Sequence, residues 1–159
     1  MTKNAWQYWC SPVAVFIGVI FLDRLTKWWV LQHCTTSQKI FSWLSCTVVF
    51  NTGSMAHLFR PQSMLGFWFL IACIILVLVF IVMLMIRRIQ RSQGINGYAA
   101  VVAGALSNVF DRFWYTGVID FIDIHYGGWH YPTFNIADVA IVCGIIWIAF
   151  DEYQIKTVE

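Results

Sequence analysis

The sequence predicts an all-α membrane protein of four transmembrane helices with a small extracytoplasmic β-sheet, and three observations carry that reading. Of its 159 residues 60% are hydrophobic and 11% charged, whereas a soluble globular chain carries about 25% charged residues. Four apolar stretches approach the roughly 20 residues of helix that a bilayer core requires. The ionisable residues within or beside these stretches gather toward one end of each, as they would around a single polar site at one membrane face.

Residues 64–86 contain no charge and define the clearest span. Residues 12–31 form another, although Asp23, Arg24 and Lys27 interrupt it after Leu22. A removable signal peptide would end in a small-x-small cleavage site. None follows here, and Trp28-Trp29 reads as an interfacial anchor. Residues 95–114 are rich in small side chains (Ala99, Ala100, Ala103, Gly104, Ala105, Ser107), which let helices approach closely in lipid. Residues 136–150 follow Pro132 and Asn135 and form the fourth span. The chain is a single domain.

Arg87, Arg88 and Arg91 crowd the short link between the second and third spans. The positive-inside bias places that link in the cytoplasm, and both termini with it, in agreement with Lys3 and Lys156. Segments 32–63 and 115–135 then lie outside. Residues 39–50 are rich in Ile, Phe, Trp, Thr and Val and break at Asn51-Thr52-Gly53, which reads as strands and a turn. The second outer segment carries an apolar run, 118–124, between Gly117 and Gly127-Gly128.

A net charge of +2 is too small to imply a nucleic-acid partner. The five cysteines show no CxxC spacing. Cys34 and Cys46 share one outer segment and could pair in an oxidising compartment. His33, His57, His125 and His130 are scattered without ligand spacing, so neither a metal nor a cofactor is expected.

Charge at membrane depth costs roughly 2.5–3.5 kcal/mol per residue, so Asp23, Arg24, Lys27, Asp111, Arg112, Asp120, Asp123 and Asp138 each need a reason. Asn108 and Arg112, four apart, share a helix face, as do Asp23 and Lys27. Asp120 and Asp138 flank the turn that returns the third span to the fourth. Two carboxylates held close resist ionising together, which supplies a general acid and a general base without metal. Simpler readings stand beside this one. Asn135 and Asp138 suit an N-cap and the third helical position. Asp23 with Lys27, and Asp111 with Arg112, suit packing ion pairs. Asp123 suits a solvated outer face, and the Arg87 cluster a topology signal.

Five segments, in order, resemble the signature of the lipoprotein signal peptidases (signal peptidase II). Asp23-Arg24-Leu25-Thr26-Lys27 resembles D-x-x-[ST]-K, and Asn51-Thr52-Gly53-Ser54 resembles N-x-G-[AS]. The run from Gly104 through Asn108 to Asp111-Arg112 resembles G-A-x-x-N-x-x-D-R. Val118-Ile119-Asp120-Phe121 resembles V-x-D-F, and Phe134-Asn135-Ile136-Ala137-Asp138 resembles F-N-x-A-D.

The resemblance implies a bacterial inner-membrane aspartic endopeptidase, its site facing outward. Such an enzyme removes the signal peptide from diacylglyceryl-modified prolipoproteins, cutting before the lipidated cysteine, and works as a monomer among membrane lipid. It implies Asp120 and Asp138 as the catalytic pair. Asn51, Gly53, Asn108, Arg112 and Asn135 would orient the substrate or the pair, with Asp23 and Lys27 in support. Two departures stand out. Ser54-Met55-Ala56-His57 replaces two small residues and an aromatic, and Ser107 replaces a glycine.

A transporter or proton-relay subunit using the same carboxylates is the competing class. It would spread acidic groups across the full membrane depth, and the inner halves of these spans show none. A purely structural assembly protein would leave the Asp120/Asp138 pair without a purpose.

Overall fold

A computed structural model describes residues 5–34, 36–53, 63–115 and 117–158. The order of elements is α1 (Ala5–His33), β1 (Gln38–Phe41), β2 (Leu44–Asn51), α2 (Met64–Gln90), α3 (Asn96–Tyr115), β3 (Val118–Tyr126), β4 (Trp129–His130) and α4 (Ile136–Val158). The chain is thus mostly helical with a small antiparallel sheet.

Two helices begin where local capping chemistry dictates. Ser63 caps α2, its hydroxyl accepting the Gly66 N–H at 3.1 Å. Asn135 caps α4 through a reciprocal box: Asp138 N–H donates to Asn135 Oδ1 at 2.9 Å, and Asn135 N–H donates to Asp138 Oδ2 at 3.2 Å. The simpler reading of these two residues therefore holds alongside any chemical one. Pro12 lies inside α1, and membrane helices tolerate such a break because neighbours satisfy the freed backbone groups.

The helices outrun the apolar spans read from sequence. α1 starts at Ala5 and α4 continues to Val158, because polar residues at the helix ends fall outside an apolar run. Among the described residues, α1 and α2 are long and apolar enough to cross a bilayer, with mean hydropathy reaching 1.5 and 3.6. α3 and α4, of 20 and 23 residues, have the length at about 1.5 Å per residue, but α3 is rich in small and polar residues and α4 carries Asp138, Asp151 and Glu152.

α3 is the central helix, packed on α1, α2 and α4. Its small residues permit a close seam with α4. A Cβ on Gly104 would stand 2.5 Å from the Ala137 carbonyl, and one on Gly97 2.8 Å from that of Gly144. Large apolar side chains of α1, α2 and α4 point outward, among them Ile17, Phe21, Leu65, Phe69, Leu76 and Ile146.

At one end of the bundle the strands form a sheet in the order β1-β2-β3-β4. β2 pairs β3 with Val49 opposite Asp120 and Asn51 opposite Val118. β3 and β4 join through Gly127 and Gly128, with φ of 56° and 85°, the left-handed pair that a two-residue hairpin turn demands. The sheet rests on the end of α1 through Val30, Cys34, Cys46, Ile119 and Phe121. Cys34 and Cys46 are buried free thiols. Burial, together with the neighbouring Cys34 thiol, pushes Cys46 up to about 12, so it stays protonated.

At the opposite end Arg88 is buried and paired with Glu152 of α4, and its guanidinium lies 5.8 Å from the Tyr98 ring centroid. Part of the basic cluster is thus a packing element at the end of α2. The extension of α4 also puts Asp151 and Glu152 on a helix, just beyond the apolar run 136–150.

Candidate active site

Asp120 and Asp138 arrive from different elements, the beginning of β3 and the first turn of α4, and both line one cavity of about 820 Å³. Asp120 is 2% exposed. Its Oδ1 accepts from Asn135 Nδ2 at 2.7 Å and its Oδ2 from Asn51 Nδ2 at 2.9 Å. Asp138 Oδ1 accepts from Asn108 Nδ2 at 2.8 Å. Each carboxylate oxygen keeps a second lone pair for another donor. Burial, with a contribution from the charge of Asp138, pushes the Asp120 carboxyl up to about 7 against the hydrogen bonds from Asn51 and Asn135.

Around the two acids every other candidate from the sequence is present. Asn135 Nδ2 also reaches Asn108 Oδ1 at 3.1 Å and the Ile119 carbonyl at 3.3 Å, linking α4, α3 and β3. Asn51 Oδ1 accepts the Gly53 N–H at 3.0 Å, closing the turn after β2. Arg112 is buried and donates from Nη2 to the Gly53 carbonyl at 3.0 Å and from Nη1 to the Asn108 carbonyl at 3.2 Å. Its Nε has no acceptor among the described residues. Lys27 Nζ donates to Asn108 Oδ1 at 2.9 Å and pairs with Asp23 at 2.8 Å.

Two expectations are corrected. Asp111 does not pair with Arg112; it pairs with Arg24 at 2.7 Å and Lys27 at 2.7 Å. Neighbours one apart on a helix point in different directions, so Asp111 faces α1 while Arg112 faces the cavity. Asp123 is buried, not solvated, and is held by His130 Nδ1 at 2.8 Å and Thr47 Oγ1 at 3.3 Å. Arg24 pairs with the adjacent Asp23 at 2.9 Å, which accounts for its charge toward the end of the first span; its reach to Asp111 and the role of Ser107 are not legible in the sequence. Ser107 Oγ donates to Asp23 at 2.6 Å, so the residue that replaces glycine supplies a hydrogen bond. The departure at Ser54 to His57 lies outside the described residues.

The cavity runs from this polar end between apolar walls: Ile74, Leu78 and Ile81 of α2, Val101 of α3, and Ile141 and Ile145 of α4. The segment from Tyr131 to Phe134, entering α4, borders it near the acids. Polar donors and two acids thus sit at the mouth of an apolar channel open between helices. Among the described residues no three His, Cys, Asp or Glu side chains gather as around a metal ion.

The sequence profile described as Signal peptidase (SPase) II matches residues 15–154. The lipoprotein signal peptidase of Blochmanniella pennsylvanica is 35% identical over 154 residues, covering 95% of this chain and 90% of its own. That of Yersinia enterocolitica is 34% identical, covering 85% and 82%. A bacterial membrane enzyme solved at 2.3 Å resolution superposes with a TM-score of 0.74 at 20% identity, covering 96% of this chain and 93% of its own. A second, solved at 1.9 Å, gives 0.67 at 21%, covering 90% and 93%. The fold is therefore that of bacterial membrane enzymes, and the chain, a peptidase, belongs to the signal peptidase II family.

Proposed function

We propose that this chain is a membrane aspartic endopeptidase that removes the signal peptide from diacylglyceryl-modified prolipoproteins, with Asp120 and Asp138 as the catalytic pair. The observation that carries the reading is the placement of both acids at the polar end of one apolar cavity. A lipidated substrate needs both features: an apolar channel for its acyl chains and signal helix, and a hydrolytic centre at the membrane surface.

With Asp120 raised to about 7, the pair carries one proton near neutral pH. The ionised member takes a proton from water as the oxygen attacks the scissile carbonyl carbon. The protonated member donates to the carbonyl oxygen, giving a tetrahedral diol. Collapse of the diol returns that hydroxyl's proton to a carboxylate, the amide nitrogen takes a proton from the pair, and the C–N bond breaks. Arg112 fixes the turn at Gly53 beside the pair, while Asn51, Asn108 and Asn135 hold the two carboxylates. Asp23 and Lys27 support them from α1.

In the membrane all four helices cross the bilayer as one domain. The termini and the Arg87–Arg91 link face the cytoplasm, and the sheet and acids face outward from a bacterial inner membrane. The chain acts as a monomer, its partners being the prolipoprotein and lipid. Purified protein incubated with a lipidated precursor releases the signal peptide on this reading, and intact precursor after prolonged incubation would refute it. A cysteine placed at Arg91 is labelled from the cytoplasmic side only; labelling solely from outside would reverse the topology.

A further inference from the structure

Where α1 meets α3, two anions and two cations close a ring. Lys27 Nζ lies 2.8 Å from Asp23 and 2.7 Å from Asp111. Arg24 completes the circuit, with Nη2 2.9 Å from Asp23 and Nη1 2.7 Å from Asp111. Both carboxylates are fully buried and the Lys27 side chain is 2% exposed, while that of Arg24 is 29% exposed. Charges alternate around the ring and sum to zero, which is how buried ions avoid an uncompensated desolvation cost.

The remaining lone pairs of the two anions point to chemistry beyond packing. Asp23 Oδ1 accepts the N–H of Ala137 at 2.9 Å, the residue before Asp138. Asp111 Oδ2 accepts the N–H of Ile119 at 3.3 Å, the residue before Asp120. One ring therefore grips the backbone at the same offset ahead of each acid, on two elements that are otherwise separate. An ion pair serving only to join α1 and α3 needs neither grip.

We infer that Arg24 and Asp111 are positioning residues for peptide cleavage, forming with Asp23 and Lys27 a charge-balanced clamp that fixes the separation of Asp120 and Asp138. The inference rests on the reading of those two acids as the catalytic pair. It extends the support assigned to Asp23 and Lys27 by giving it a geometry, two further members and a requirement for neutrality.

That requirement makes it testable by charge arithmetic. Asp111→Asn keeps the size and an oxygen acceptor but leaves the ring at one positive charge. Arg24→Gln leaves it at one negative charge, and the double variant restores zero. Asp120 faces Lys27 and, behind it, Asp23 from α1, Arg112 and Asp111 from α3, and Asp138 from α4, while β2 presents the neutral Asn51. Lys27 favours its ionised form, so an unbalanced Lys27 moves the pH–kcat profile toward lower pH.

The measurements are kcat, KM and the pH profile on a lipidated precursor in detergent, with Tm recorded alongside. Asp111→Asn lowers kcat about 10-fold or more with KM little changed, as misplacement of reacting groups does, and shifts the profile to lower pH. Arg24→Gln shifts it to higher pH, and the double variant returns it toward wild type with partial recovery of kcat. If Tm falls in all three while profile and kcat stay at wild type, the ring only packs and the inference is overturned. Should Asp111→Asn not be recovered folded, Arg24→Gln decides alone, because its partly exposed head is the mildest member to remove; an unmoved profile overturns the clamp. Asp120→Asn separates the two failures. If it still cleaves, the catalytic reading falls and the clamp with it; if it is dead and the ring variants are silent, only the clamp falls.

Discussion

α2 and α3 lie side by side, yet they are held by opposite means. α2 buries only Phe67, Ile71 and Arg88 along its 27 residues, and its apolar surface is suited to lipid on nearly every side. α3 is buried from Gly97 to Gly104 and again at Ser107, Asn108, Asp111 and Arg112. Lipid is as apolar as leucine, so burying α2 against protein gains little; small residues and polar bonds are what hold helices together in a bilayer. α3 is therefore fixed to α1, α4 and the sheet, and α2 is left as the compliant wall of the cavity. The division suits a site that must be rigid at its acids and accommodating along its channel.

The sharpest test of the rigid side is the acid pair. Asp120→Asn and Asp138→Asn each lower cleavage of a lipidated precursor by about 10³-fold, within the range expected of general acid–base groups, and the double variant loses little more because paired groups act as a unit. The two substitutions also differ from a mere surface change in stability. The raised Asp120 value means that its contribution to stability is complete below the unfolded value of about 3.9 and is lost as pH rises through about 7. Asp120→Asn accordingly raises Tm relative to wild type at pH 8 and has little effect at pH 4. The control is Asp123→Asn, which weakens its bonds to His130 and Thr47, costs about 1 kcal/mol of stability and leaves kcat close to wild type.

Next in size is Arg112. Arg112→Ala lowers cleavage by about 10²–10³-fold, the usual cost of a preorganised donor. Arg112→Lys does not restore it, since a point-charge ammonium lacks the planar fork that spans the Gly53 and Asn108 carbonyls together. A fully active lysine variant would reduce Arg112 to an anchor.

The seam comes third. Gly104→Leu forces α3 from α4 where a Cβ already meets the Ala137 carbonyl at 2.5 Å, and moves Asp138 with the first turn of α4. Cleavage falls about 10²-fold, as expected when reacting groups shift by about 1 Å, and Tm falls with it.

The smallest effect belongs to α2. Leu78→Ala, which in a packed core costs about 2–5 kcal/mol, lowers Tm only slightly here, and raises KM a few-fold while kcat holds. A large loss of Tm would mean that α2 is packed as tightly as α3 and would erase the distinction between the two.

The sequence made the rigid side legible because its polar residues have no reason to be in a membrane other than one another. Asp23, Lys27, Asn51, Gly53, Asn108, Arg112, Asp120, Asn135 and Asp138 do converge around one end of the bundle. What stayed hidden was pairing. Adjacency suits Asp111 to a pair with Arg112, whereas the helix turns it about 100° away toward Arg24 and Lys27 on α1. Asp123 looked solvated because nothing in a linear pattern announces that His130 of the next strand and Thr47 of the previous one will close over it. Ser107 looked like a departure from a motif, and only the approach of α1 makes it a donor. Such pairings depend on interhelical register, which hydropathy and local spacing do not encode.

The hydrogen bond between Asp23 and Ala137 joins residues 114 positions apart. Its consequence concerns time. During synthesis the α1 charges can pair with one another and then with Asp111 of α3, but Asp23 must wait for the Ala137 N–H until the beginning of α4 has left the ribosome. Until then Asp138 does not exist and Asp120 lacks Asn135. The cluster around the two acids is therefore one of the last features of the fold that can form, because its contacts span most of the length of the chain.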